Sequence, residues 1–320
     1  MRVRMTAETL QKIDKYIVLE NLGKGAKSTI WKIEDPADGR VYTLKRVIKE
    51  TEEDSRFFEQ VRIEHSVCSR VNSEYLRKSF EIRSIRRWLK TQELLLLLEY
   101  VEGTTLKEAP PTEIEDVIDI FIKVGQGLES LHQFGFVHAD IKPKNILLTK
   151  NSSRIKIIDF GQSCPIGHRK ERIQGTPDYM APEQVDRGIL DQRTDVFNLG
   201  ASMYWVLTGK NYPTTMPRQA EEMTVTGMLP RQVARPDEVN RAVPMALSKL
   251  VMDCCNYNLH DRPENMRDVI ARLDVAKHLM LRQKHPEQFA KKKTNEDTDT
   301  HKPVSSDDTD EFDQFLEGIL

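Results

Sequence analysis

The chain has 320 residues, 38% hydrophobic and 31% charged, enough apolar mass for a large core in two small domains or one two-lobed unit. A formal charge of -2 supplies no chain-wide basic field for nucleic acid or an anionic membrane. Four cysteines (Cys68, Cys164 and the neighbours Cys254 and Cys255) are too sparse for a disulfide framework and lack zinc-site spacing. Residues 1–14 are charged and residues 94–98 are too short a run to approach the roughly 20 that span a bilayer. The expectation is a soluble, cytoplasmic protein with no membrane span and no nucleic-acid partner.

In chain order, residues 16–22, 29–34, 41–48, 80–88 and 93–100 are alternating, β-branched and aromatic, and predict five strands. Asp38-Gly39 is a turn signal between the second and third, and Lys90-Thr91-Gln92 can turn the fourth into the fifth. One helix interrupts them at 54–71, where Phe57, Val61, Val67 and Val71 supply an apolar stripe. After Pro110-Pro111 the period changes, with Ile114, Val117, Ile118, Phe121, Ile122, Leu128 and Leu131 at helical spacing. The fold expected is α+β in two lobes with a cleft between them, joined by a polar linker at 102–105. Its expected divisions are an N-terminal extension (1–15), a β-rich lobe with one helix (16–101), a mainly helical lobe (102–280) and a charged, disordered tail (281–320). From Thr294 onward nine acidic residues face one lysine, Lys302. Within that tail Phe312, Phe315, Leu316, Ile319 and Leu320 fall on one helical face, which predicts a short amphipathic segment docking into a partner's groove.

The residues that carry chemistry follow one another in a definite order. Leu22-Gly23-Lys24-Gly25-Ala26-Lys27-Ser28 lies between two expected strands, where small residues let backbone amides approach phosphates. Lys45 follows on the third strand and Glu64 on the helix, so an ion pair is feasible. Then come His138-Ala139-Asp140-Ile141-Lys142-Pro143-Lys144-Asn145 and Asp159-Phe160-Gly161, and after them Gly175-Thr176-Pro177-Asp178-Tyr179-Met180-Ala181-Pro182-Glu183.

This series resembles the motifs of the eukaryotic-type (Hanks-type) serine/threonine protein kinases, over about residues 16–279, and the compact segment between Asp159 and Glu183 is similar to that of bacterial members. The resemblance implies ATP and Mg²⁺ as cofactors and a protein substrate. By it, Asp140 takes the proton of the substrate hydroxyl, and Lys142 contacts the transferring phosphate. Asn145 and Asp159 hold magnesium, and Lys45, held by Glu64, grips the α- and β-phosphates. Leu22, Gly23, Lys24 and Gly25 would cover the nucleotide. Ile30 and Thr43 would roof the adenine and Leu147 floor it, Glu99 and Val101 would offer it backbone groups, and Leu98 would stand as gatekeeper. Thr176, together with Lys142, implies serine or threonine as acceptor. The resemblance also pairs Glu183 with Arg262 and makes Asp195 the brace of the catalytic loop. Three departures stand out: Ser28 for the third glycine of the loop, Thr43 for a small alanine, and Ala139 for the arginine that in many kinases receives an activation-loop phosphate. A pseudokinase scaffold and a kinase-like small-molecule phosphotransferase are the alternatives. No charged or metal-binding element is lost, which opposes the first, and segment 175–183 opposes the second.

Overall fold

The computed structural model describes residues 11–25, 27–87, 90–149, 155–214, 233–284 and 286. The chain opens with a six-stranded antiparallel sheet in the order β1-β2-β3-β4-β6-β5, formed by β1 (Lys12–Ile13), β2 (Tyr16–Lys24), β3 (Ser28–Asp35), β4 (Arg40–Ile48), β5 (Ser79–Arg87) and β6 (Lys90–Glu99). Helix α1 (Ser55–Cys68) separates β4 from β5. Along β6, Leu95 and Leu97 join Ile13, Tyr16, Ile33 and Leu44 on one face. Leu94, Leu96 and Leu98 join Val47, Phe58 and Val61 on the other, against α1. Burial on both faces explains why residues 94–98 are apolar without alternation.

The sheet departs from expectation at two places. The extension contributes a strand, because Lys12 and Ile13 pair with Ile17 and Tyr16 and Ile13 is buried. Two residues are too few for periodicity to reveal. Residues 90–92 do not turn: Lys90 pairs with Arg87 and Thr91 with Arg86, so the strand is already running there. The Asp38-Gly39 signal does mark a reversal, with Gly39 at φ 66 and its N–H donating to the Asp35 carbonyl at 2.8 Å. Helix α1 begins one residue after Asp54, whose carboxylate accepts from the Glu50 and Thr51 amides, both at 3.0 Å. Those bonds close a 3-10 turn over Glu52–Asp54, which leaves Asp54 just outside α1.

Beyond β6 the linker is ordered as β7 (Gly103–Thr105), followed by α2 (Ile114–Gln133), β8 (Phe136–Val137), β9 (Ile146–Thr149), β10 (Ile155–Ile157), β11 (Cys164–Pro165) and β12 (His168–Arg169). A Cβ on Gly103 would stand 2.1 Å from the Leu148 carbonyl oxygen, so only glycine lets β7 lie against β9. Next come α3 (Pro182–Val185), β13 (Ile189–Leu190), α4 (Gln192–Thr208), α5 (Pro236–Val239), α6 (Met245–Cys254) and α7 (Met266–Lys284). The largest core packs α2, α4, α6 and α7 around Phe121, Leu128, Leu199, Leu250 and Leu273. Its apolar stripes recur at the spacing expected after Pro110-Pro111. The architecture is mixed α+β, with a curled sheet followed by a helical lobe. Among the described residues no helix is long and apolar enough to cross a membrane. The expected amphipathic segment from Phe312 to Leu320 lies outside the described residues.

Candidate active site

Strand β8 feeds directly into the loop that carries Asp140, and the path of that loop is imposed by a buried carboxylate. Asp195, near the start of α4, accepts from the amides of His138 and Ala139, each at 2.8 Å, and contacts His132 Nε2 at 2.8 Å. These bonds hold Ala139 at φ 59, a left-handed conformation that costs an alanine about 1–2 kcal/mol. Burial alone would raise the carboxyl of Asp195, but His132 and the amides outweigh it and keep the group below the usual range.

Asp140 is thereby presented with both oxygens in use. Its Oδ2 accepts from Lys142 Nζ at 2.6 Å and from Asn145 Nδ2 at 3.3 Å, and its Oδ1 accepts from the Thr176 hydroxyl at 2.9 Å. Lys142 Nζ also donates to that hydroxyl at 2.6 Å. A carboxylate, an ammonium and a threonine hydroxyl therefore meet at one point, although 36 positions of sequence separate Thr176 from Asp140. Segment 175–183 is drawn onto the loop by Gln184, whose Nε2 donates to the Ala139 carbonyl at 2.8 Å and whose Oε1 accepts from Asn198 at 2.9 Å. Glu183 forms a two-pronged pair with Arg262 at 2.8 and 2.9 Å, with the guanidinium fully buried.

The second cluster spans sheet and helical lobe. Lys45, on β4, reaches Glu64 Oε2 at 2.6 Å and Asp159 Oδ1 at 3.0 Å. Burial would lower the lysine, but the two carboxylates overcome it and hold the ammonium charged well above its ordinary value. Lys45 in turn is the main reason that the Asp159 carboxyl lies well below its own. Asp159 is also left-handed, at φ 65, two residues after β10 ends. Ala139 and Asp159 are two of the four non-glycine residues at positive φ among the described residues, the others being Asp14 and Arg187.

The remaining expected residues fall on β2, β3, β4, β6 and β9 and in the segments beside them. Ile30 pairs across β3 with both Gly23 and Lys45, and Thr43, buried, pairs with Leu98. Leu147 pairs with Thr105 and Lys156. Leu22 is exposed and Lys24 ends β2, while the Gly25 N–H donates to the Ser28 carbonyl at 2.8 Å. A Cβ on Gly25 would fall 2.6 Å from Ser28 Oγ, so the serine in the third glycine's place closes on the loop. The Glu99 carboxylate accepts from Lys156 Nζ at 3.0 Å and from the Lys78 amide at 3.1 Å, its own N–H donates to the Lys78 carbonyl at 2.9 Å, and Val101, two residues on, is half-buried.

Asn145 spends its Nδ2 on the Asp140 carbonyl at 2.9 Å and on the Asp140 carboxylate, so its amide oxygen is the acceptor that remains. Asp159 keeps one oxygen beyond the one on Lys45, on a side chain 45% exposed. An amide oxygen and a carboxylate are hard ligands, and among the described residues no cluster of three or more His, Cys, Asp or Glu is built to hold a metal. Such a donor set fits Mg²⁺ that takes its other ligands from phosphate and water.

Sequence reasoning missed Arg77, Lys156, His132 and Gln184. Each acts through a partner on a distant element, and a lone arginine or lysine in or beside a strand carries the signature of a solvated charge.

Residues 16–273 match the protein kinase domain family, and the chain belongs to that family. It is similar to a probable serine/threonine-protein kinase of Clostridium acetobutylicum, at 26% identity over 83% of this chain and 40% of the relative. It also resembles serine/threonine-protein kinase A of Synechocystis (26%, 82% of this chain, 53% of the relative). A third relative is serine/threonine-protein kinase PknL of Mycobacterium tuberculosis (28%, 78% and 62%). The chain therefore spans from two fifths to about three fifths of the length of these curated relatives.

Proposed function

We propose that this chain transfers the γ-phosphoryl group of ATP to serine and threonine hydroxyls of proteins. The observation that carries the reading is the Thr176 hydroxyl seated between Asp140 Oδ1 and Lys142 Nζ, because a substrate hydroxyl needs those same two groups. Asp140 accepts the hydroxyl proton, and Lys142 places positive charge where the phosphoryl group arrives. Lys45, fixed by Glu64, holds the α- and β-phosphates, with Gly23 and Gly25 letting the backbone approach them. Ile30, Thr43 and Leu147 enclose the adenine, and the Glu99 and Val101 backbone gives it hydrogen bonds. Asn145 and Asp159 would hold Mg²⁺, which when bound neutralises charge on the phosphate oxygens.

The compact order of residues 16–101 as nucleotide lobe and 102–280 as substrate lobe follows from the same assignment. A protein acceptor is favoured over a small molecule by segment 175–183, held in place through Gln184 and the Glu183–Arg262 pair. The tail residues Phe312, Phe315, Leu316, Ile319 and Leu320 form a docking element for a partner. Removing residues 312–320 should leave turnover of a generic peptide unchanged and weaken capture of native substrate; unchanged native phosphorylation would oppose it. The function itself is tested by offering the purified chain Mg²⁺, γ-labelled ATP and either mixed proteins or sugar and aminoglycoside acceptors. Label on protein serine or threonine is expected; label confined to small molecules would overturn the proposal.

A further inference from the structure

Glu64 is bound by two cations. Lys45 holds Oε2 at 2.6 Å, and Arg77 Nη2 holds Oε1 at 3.1 Å. The glutamate side chain is fully buried and that of Arg77 is 9% exposed, with its Nε buried and unpartnered. A buried carboxylate stripped of every cation is strongly destabilising. Lys45, however, is also bonded to Asp159 and is the group assigned above to the phosphates, so its hold on Glu64 is shared.

Arg77 sits on backbone that is itself tied to the route into Asp159. Its N–H donates to the Ile157 carbonyl at 3.0 Å, the Ile157 N–H donates to the Tyr75 carbonyl at 2.7 Å, and Leu76 bridges Ile157 in parallel. One guanidinium therefore connects α1, through Glu64, with the strand that ends two residues before Asp159.

We infer that Arg77 is a positioning residue that keeps Glu64, and with it α1, in the catalytic arrangement independently of Lys45. Two cations and two carboxylates balance: Arg77 neutralises Glu64 while Lys45 is free to engage phosphate beside Asp159. The inference rests on the assignment of Lys45 and Glu64 under Proposed function.

The test measures kcat and KM for ATP with the full chain in Arg77→Met, Arg77→Lys, Glu64→Gln and the Glu64→Gln/Arg77→Met pair. Arg77→Met should lower kcat about 10- to 100-fold with a much smaller change in KM, as misplacement of a positioned group does, and Arg77→Lys should recover most of it. In the Glu64→Gln background the arginine substitution should have little further effect. Wild-type kcat in folded Arg77→Met, or fully additive losses in the pair, would overturn the inference. Full turnover in Glu64→Gln would instead remove the role of Glu64 itself, a separate failure. A measurement that needs no change at Arg77 is hydrogen exchange in Lys45→Met. Amides of α1 should remain as protected as in wild type, and loss of their protection would show that Lys45 alone holds the helix.

Discussion

Asp195 shows how much one buried side chain decides. It satisfies two amides in a turn that neither strand nor helix can serve, and the left-handed Ala139 that results aims Asp140 at Lys142 and Thr176. Asp195→Ala leaves those donors orphaned, and we expect a loss of about 3–5 kcal/mol in urea unfolding, against under about 1 kcal/mol for Asp140→Asn. Titration belongs to this scale as well. Burial holds His138 below its ordinary value, against the pull of Asp195, Asp140 and Asp159, and Asp195 also lies low. Both groups bind fewer protons folded than unfolded, so each contributes stability above its unfolded pKa that is lost as pH falls. The His138 window opens near 6.5 and that of Asp195 lower, near 3.8. The urea midpoint should therefore drop between about pH 7.5 and about pH 5.5, and less steeply in His138→Phe. A midpoint that is flat or rises on acidification would contradict this.

At the scale of elements, the segment between Asp159 and Glu183 is held without an arginine beside Asp140. Strand β11 pairs with β8, β12 pairs with β13, and Lys170 Nζ donates to the Gln162 carbonyl. Ala139, Val137, Cys164 and Leu190 form an apolar cluster where a phosphate clamp would need charge. Phosphatase-treated protein should therefore keep its turnover, and a large loss restored by rephosphorylation of residues 163–176 would refute that. Elements are also where the sequence was most readable. Alternating, β-branched and aromatic segments located five strands, and an apolar stripe α1, to within a few residues, while β1 was too short to read, and the Lys90-Thr91-Gln92 signal was overridden by pairing with Arg86 and Arg87. The site residues named by motif, such as Lys45 and Glu64, lie together. Their supports do not announce themselves, since buried Arg77 pairs with Glu64, 13 positions away on another element, and no local pattern marks that pairing.

Across the whole molecule, and among the described residues, sheet lobe and helical lobe are joined by Lys45 to Asp159, Lys156 to Glu99, the backbone of residues 75–77 to Ile157, and the packing of Val67, Cys68 and Val71 into the core that holds Phe160. Nucleotide held between them, as proposed, would add a further bridge. Ligand at about 100 times its Kd should stabilise the fold by about 2.7 kcal/mol, visible as a rise in Tm with Mg-ATP that Lys45→Met diminishes. No shift in the wild-type chain would argue against a nucleotide in this cleft. The central claim is transfer through Asp140, and the direct measurement is incorporation of label from γ-labelled ATP with Mg²⁺ into a protein substrate, followed by identification of the labelled residue, for wild type and folded Asp140→Asn. The account predicts phosphoserine or phosphothreonine from the wild type and a rate lower by about 10²-fold or more in the variant. Equal rates in the two proteins, or label on tyrosine alone, would contradict it.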